Sequence, residues 1–141
     1  MAEPTLPTDL RLDIVTPDRL VAHDAVTGVT IPGKNGYLGI LPGHAPLLTE
    51  LVPGELEYTS GGAPHVMAVT WGFVEVLPDR VTILASDALR PDEIDAARAG
   101  QQLDRGMKMW NEAGDSEEAY TKALHVISEA EAKLASAGEK R

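Results

Sequence analysis

The chain has 141 residues, room for one ordinary domain or for a compact domain of about 90 residues with an appendage. Its 12 Lys and Arg face 22 Asp and Glu, and the formal charge of -10 is spread over both residues 1–90 and 91–141. No basic cluster exists to neutralise phosphates or anionic headgroups, so neither nucleic acid binding nor direct lipid insertion is expected, and the lack of cysteine removes disulfides, thiolate metal sites and cysteine nucleophiles.

The N-terminal run Met1-Ala2-Glu3-Pro4-Thr5 has neither the basic nor the apolar region of a signal peptide. No window approaches 18 apolar residues, the length a membrane-spanning helix needs. A cytosolic location, or the cytosolic side of a membrane complex, is expected.

Up to about residue 87 the apolar residues recur with the short period of strands. Leu10, Leu12 and Ile14 alternate with Arg11 and Asp13 in a first strand that ends at Thr16-Pro17. Val26, Val29 and Ile31 follow irregularly before Pro32-Gly33-Lys34-Asn35-Gly36, a turn in which Pro fixes φ and Gly or Asn takes left-handed values. Tyr37 to Leu41 form the next run, and Pro46 marks an edge or bulged strand over residues 45–48. Pro53-Gly54 opens a hairpin element, Gly61-Gly62 turns the chain into Val66–Trp71, and Phe73–Leu77 and Val81–Leu84 complete the β part. Turn signals every 8 to 12 residues predict an antiparallel sandwich or flattened barrel, since no stretch before residue 88 can serve as a crossover helix.

From Pro91 the period becomes helical. Pro91 suits the first helical position, and Asp92, Glu93 and Asp95 place negative charge at the positive end of the helix dipole. Ala96, Ala99, Leu103, Met107 and Trp110 mark one face, and the helix is expected to stop near Ala113-Gly114. Asp115 reads as the cap of a second helix with Glu118 at N3, with Ser116 as the alternative, and Ala119, Ala123, Val126, Ile127, Ala130 and Leu134 give its apolar stripe. A short Gly-containing link makes the two helices an antiparallel hairpin, joined by Ala and Gly contacts that bury little area. Nothing beyond Ala137 has a visible reason to be ordered. The predicted organisation is a β domain over residues 1–88 and a helical hairpin over 89–141.

Catalytic patterns are missing. His23, His44, His65 and His125 are scattered without metal-ligand spacing, and His44 reads as a loop residue bonded to backbone. Ser60 and Ser86 lack a nucleophile elbow, and Asp24, Glu50, Glu55, Glu57 and Glu75 fall mostly on solvated faces rather than as a facing carboxylate pair. Gly33, Gly36, Gly39 and Gly43 do not match a phosphate loop and read as turns. Lys34, Asn35 and Tyr37 crown a preshaped loop of the kind a protein contact uses. Arg98 and Arg105 lie two helical turns apart on one face, either as an Asp95–Arg98 ion pair plus a solvated arginine or as two guanidinium forks for phosphates or carboxylates.

The stretch Gly36-Tyr37-Leu38-Gly39-Ile40-Leu41-Pro42-Gly43-His44-Ala45-Pro46-Leu47-Leu48-Thr49 strongly resembles the epsilon subunit of bacterial F-type ATP synthase. The pattern continues through Leu51-x-Pro53-Gly54-x-Leu56, Gly72-Phe73-x-Glu75-Val76, Val81–Ala85 and Glu93–Ala99. The resemblance implies a ten-stranded β-sandwich followed by a two-helix hairpin, in a non-catalytic subunit that turns with gamma and the c ring and couples ion flow to ATP synthesis. It implies a c-ring interface at Gly33, Lys34, Asn35, Gly36 and Tyr37, and gamma packing near His44. It also implies helices that extend along gamma toward the alpha and beta subunits to restrain hydrolysis, on the cytoplasmic side of the bacterial plasma membrane. The family's ATP motif falls on Ile94, Asp95, Arg98 and Ala99, with Arg105 beyond. With only Lys122, His125 and Lys133 as basic residues between 116 and 134, no cofactor is required and ATP is expected to be at most a weak regulatory ligand.

Overall fold

The computed structural model describes residues 7–138. The N-terminal stretch read for a signal and the last three residues lie outside it. Ten strands follow one another: β1 (Leu10–Val15), β2 (Leu20–Val26), β3 (Gly28–Gly33), β4 (Gly36–Ile40), β5 (Leu47–Leu51), β6 (Gly54–Ser60), β7 (Ala63–Val69), β8 (Gly72–Leu77), β9 (Arg80–Ala85) and β10 (Ala88–Leu89). A 3-10 turn, Pro91–Glu93, leads to helices α1 (Ala96–Asn111) and α2 (Glu117–Gly138). The ten-stranded sandwich and the helical pair are those expected from the sequence.

The strands form one sheet folded back on itself, in the order β10-β7-β6-β3-β5-β8-β9-β1-β2, with β4 on the other edge of β3. β3 is where the sheet folds over. Along one edge it pairs first with β6, through Gly28, Val29 and Thr30, and then with β5 through Gly33 and Leu51. The fold therefore has a β10-β7-β6-β3 layer and a β5-β8-β9-β1-β2 layer. Between them lie Leu10, Leu12, Ile14, Ile31, Leu56, Met67, Val74, Val76 and Ile83, all fully buried members of one core.

The pairing differs from an all-antiparallel sheet in one place. β1 runs parallel to β9, with Leu12 opposite Val81 and Ile14 opposite Ile83. No crossover helix is needed because the two strands are far apart in sequence and the intervening sheet itself makes the connection. β2 is also a full strand that the sequence pattern does not reveal. Its register slips beside Val15, so Val21, Ala22 and Val26 face the core without strict alternation. Pro46 lies in the loop before β5 rather than in a strand.

The helical signals shift by a few residues. Pro91 starts the 3-10 turn, and two extended residues, Ile94 and Asp95, separate that turn from α1. Asp95 caps α1, its carboxylate accepting the Arg98 N–H at 3.1 Å, so it is not committed to the Arg98 guanidinium. Ser116 caps α2, its hydroxyl accepting the Ala119 N–H at 3.1 Å. The face of α1 that packs on α2 centres on Ala99 and Gly106, while Met107 and Trp110 stay 49% and 42% exposed. Gly106 sets this contact, since a Cβ there would lie 2.7 Å from Ile127 Cγ1.

Close backbone approach is stricter still at Gly72, the first residue of β8. A Cβ there would sit 1.7 Å from the Leu84 carbonyl oxygen, a clash that no side-chain rotation relieves. Gly72→Ala is expected to lower stability by about 3 kcal/mol or more, read as a fall in the denaturant midpoint at unchanged m.

Candidate functional site

Three places carry the residues singled out by the sequence, and the fold keeps them apart. The first is the tip of the β3–β4 hairpin. Gly33 pairs with Gly36 across the two-residue turn Lys34-Asn35, and Gly36 alone takes positive φ, 116°, to close it. Lys34 is tied down twice, its Nζ 3.2 Å from Glu50 Oε2 and its N–H donating to the Glu50 carbonyl at 3.2 Å. Tyr37 is 64% exposed, and its hydroxyl accepts the Glu55 N–H at 3.4 Å. The ring fits because Gly54 is bare: a Cβ there would stand 2.7 Å from Pro32 Cβ and 3.2 Å from the Tyr37 hydroxyl. A preshaped loop presenting an aromatic ring is the result.

His44 belongs to a second place, at the opposite end of β5. Its N–H donates to the Leu41 carbonyl at 3.1 Å, and its Nδ1 lies 2.6 Å from the Ala45 carbonyl. The Gly43 N–H donates to the Pro78 carbonyl at 2.7 Å, which pins this loop to the β8–β9 turn. The loop thus sits at the end of the β5-β8-β9-β1-β2 layer where β8 turns into β9.

The outer face of this layer holds residues the sequence pattern did not single out. Phe73 is opposite Leu84, Leu84 is opposite Val15, and Val15 is opposite Leu20. The register thereby lays four apolar side chains in one row across β8, β9, β1 and β2. Phe73, Leu84 and Leu20 are 55%, 53% and 58% exposed, and Leu48 on β5 is 72% exposed. The next row, Glu75, Thr82, Asp13 and His23, is polar, with His23 bonded to Asp13. The signal was phase: Phe73 and Leu84 are one residue out of step with the buried Val74, Val76, Val81 and Ile83.

The third place is a cleft of about 690 Å³ at the root of the hairpin. Ile94, Asp95, Arg98 and Arg105 all line it, and the structure adds Lys133 from α2. Among the described residues neither Arg98 nor Arg105 is in an ion pair, whereas Lys133 Nζ lies 3.5 Å from Asp87. Ile94 is buried, and Asp95 is spent on its capping bond. Asp87, Glu93 and Asp95 carboxylates share the cleft with the three cations, which limits its attraction for a polyanion.

Residues 9–91 match the family described as the ATP synthase delta/epsilon chain beta-sandwich domain. The chain belongs to the bacterial F-type ATP synthase epsilon chain family. An ATP synthase epsilon chain of Koribacter versatilis is 57% identical over 102 residues, 72% of each chain, and that of Solibacter usitatus is 43% identical over 136 residues, 96% of this chain and 100% of the relative. A solved Euglena gracilis mitochondrial ATP synthase contains a chain of the same fold, with a TM-score of 0.81 at 23% identity, covering 98% of this chain and 86% of that one. Membership of the epsilon family makes the chain a subunit of an enzyme complex.

Beside the cleft, Glu93 is held at both oxygens. Oε1 accepts the Arg90 N–H at 3.1 Å and Oε2 accepts Arg19 Nη2 at 2.9 Å. The Arg90 backbone bond, and after it the Arg19 guanidinium, hold the carboxyl below its ordinary value near 4.5 against an opposing desolvation. The stabilisation is therefore complete above that ordinary value and disappears as pH falls through the lowered one. Glu93→Gln is expected to lower stability at neutral pH by about 1 kcal/mol or less for so exposed a pair, read as a fall in the thermal midpoint, and to become indistinguishable from the parent in acid.

Proposed function

We propose that this epsilon chain is a non-catalytic central-stalk subunit that docks the gamma subunit with the outer face of its β5-β8-β9-β1-β2 layer. The observation that carries the proposal is the row Phe73, Leu84, Val15 and Leu20, aligned by register, with Val15 half-buried and the other three open to solvent. An apolar row with a polar row beside it has the composition of an interface core and rim. His44 stands in the loop at the β8–β9 end of the same layer, and its part in gamma packing rests on the family resemblance.

The β3–β4 tip, Gly33 to Tyr37, serves the c ring in this proposal. It is rigid before binding, so little side-chain entropy is lost on contact. The hairpin supplies regulation: α2 is held to the β-sandwich by few contacts, and its release lets the helices extend toward the alpha and beta subunits and restrain ATP hydrolysis. ATP is a weak regulatory ligand of the cleft, held by Arg98 and Arg105 with Lys133 as a third cation. Through gamma and the c ring the subunit couples proton or sodium flow to ATP synthesis, at the cytoplasmic side of the bacterial plasma membrane.

Pull-down with gamma, with and without the c ring, tests the docking directly. Phe73→Glu combined with Leu84→Glu is expected to reduce gamma capture at least tenfold, about 1.4 kcal/mol, while the isolated subunit stays folded. Undiminished capture would move the gamma site to another face. Replacing Asn35 and Tyr37 with Ala is expected to weaken retention of the c ring and leave gamma capture intact. For the cleft, isothermal titration should register weak ATP binding by the parent and none by Arg98→Ala; equal binding by both, or by neither, rejects the ligand.

A further inference from the structure

The chain has two asparagines, Asn35 and Asn111, in opposite surroundings. Asn111 is the last residue of α1, and the Glu112 N–H that follows it is engaged in the helix, donating to the Lys108 carbonyl at 3.0 Å. Asn35 is followed by Gly36, and both are exposed at the tip of the β3–β4 hairpin. Among the described residues the Asn35 amide has no hydrogen-bond partner. Gly36 forms the last rung of the β3–β4 pairing, opposite Gly33, with φ at 116°. A Cβ built on Gly36 would meet nothing within 4 Å, so no side chain packs over this residue. End rungs open locally at little free-energy cost, and a slow covalent reaction needs only rare opening.

The Asn35 amide carbon and the Gly36 nitrogen are separated by the atoms of a five-membered ring, so attack of one on the other is intramolecular and gains from proximity. Glycine leaves the attacking nitrogen without a neighbouring side chain to hinder it. We propose that Asn35 is a site of spontaneous deamidation, which adds a negative charge to the hairpin tip and weakens the c-ring contact proposed for it. The Gly36 nitrogen gives its proton to water and bonds to Asn35 Cγ. The Cγ–Nδ2 bond breaks, and the amide nitrogen takes up a proton and leaves as ammonia. Water then opens the cyclic imide at either carbonyl, giving aspartate, or isoaspartate with the chain running through the side-chain carbon. No oxidant or cofactor takes part.

In the amide form the Lys34 ammonium at this tip is matched by Glu50, 3.2 Å away. The new carboxylate, one residue from Lys34, competes with Glu50 for that ammonium and leaves an uncompensated negative charge at an exposed contact. Isoaspartate also inserts an extra backbone carbon into a turn that sets the register of β3 against β4. The effect on the contact rests on the c-ring role of the loop, whereas the chemistry does not.

The full-length subunit is held folded in mildly alkaline buffer, beside a sample in urea, and its peptides are mapped by mass over time, with isoaspartate read by enzymatic methylation. In the folded subunit the Asn35 peptide is expected to exchange its amide for a carboxyl about tenfold or more faster than the Asn111 peptide. Asn35→Gln, whose longer side chain closes a less favoured ring, is expected to stay unmodified. Survival of Asn35 for as long as Asn111, or conversion only in urea, overturns the site. Assembled enzyme carrying Asn35→Asp is expected to lose c-ring retention relative to the parent. If it keeps the c ring while the variant with Asn35 and Tyr37 replaced by Ala does not, the added charge is without effect and the inferred weakening is overturned. If neither variant loses the c ring, the c-ring reading of the loop falls, and the mass map alone decides the modification.

Discussion

The sheet must fold over on itself because a β part of this size has only one core to offer each of its strands. β3 makes that possible by handing its edge from β6 to β5 at Gly33. Every inward residue then meets a counterpart from the other layer. The outward faces are left to find separate cover, and they fare differently. α2 lies over β6 and β7 of one layer, whereas Phe73, Leu84 and Leu20 on the other layer remain bare. The asymmetry between a covered and an uncovered layer organises the molecule, with a helical pair on one side and an apolar surface on the other.

The two halves are held by different physics. The β-sandwich is locked by fully buried Leu, Ile, Val and Met side chains and by approaches as close as Gly72 to Leu84. Burial of such side chains is worth about 1.5–3 kcal/mol each. The hairpin presents Ala123, Ala130 and Ala132 where the sandwich presents Leu and Ile, and relies on a stacked histidine, one ion pair and one hydroxyl bond to stay docked. Single polar contacts of this kind have a small net worth, although Ser136 makes its bond from a fully buried position. The hairpin is therefore held by smaller and fewer apolar contacts than the strands are.

Much of this was legible in the chain. Alternation of Leu10, Leu12 and Ile14, the Pro-Gly turns and the change of period at residue 91 carry the architecture, and the glycine-rich run through His44 carries the family. β2 was hidden because its register slip puts Val21 and Ala22 inward together, which destroys the two-residue period. The face of α1 was misjudged because hydrophobicity favoured Met107 and Trp110, while the tight contact with α2 demanded a residue with no side chain at 106. The row of Phe73, Leu84, Val15 and Leu20 depends on registers among four strands, which no single segment encodes. The cleft was half visible: Arg98 and Arg105 share a helix face, but Lys133 joins them from α2, far away in sequence.

Trp71 adds one more consequence. Its ring makes the stack with His125, yet its indole nitrogen is sealed from solvent without a hydrogen-bond acceptor. A buried donor left unmatched costs about 1–3 kcal/mol, which offsets part of what the stack contributes. The packed hairpin therefore rests with one group dissatisfied beside it. The residue that anchors the helix is also one whose own polar group goes unmatched in the packed arrangement.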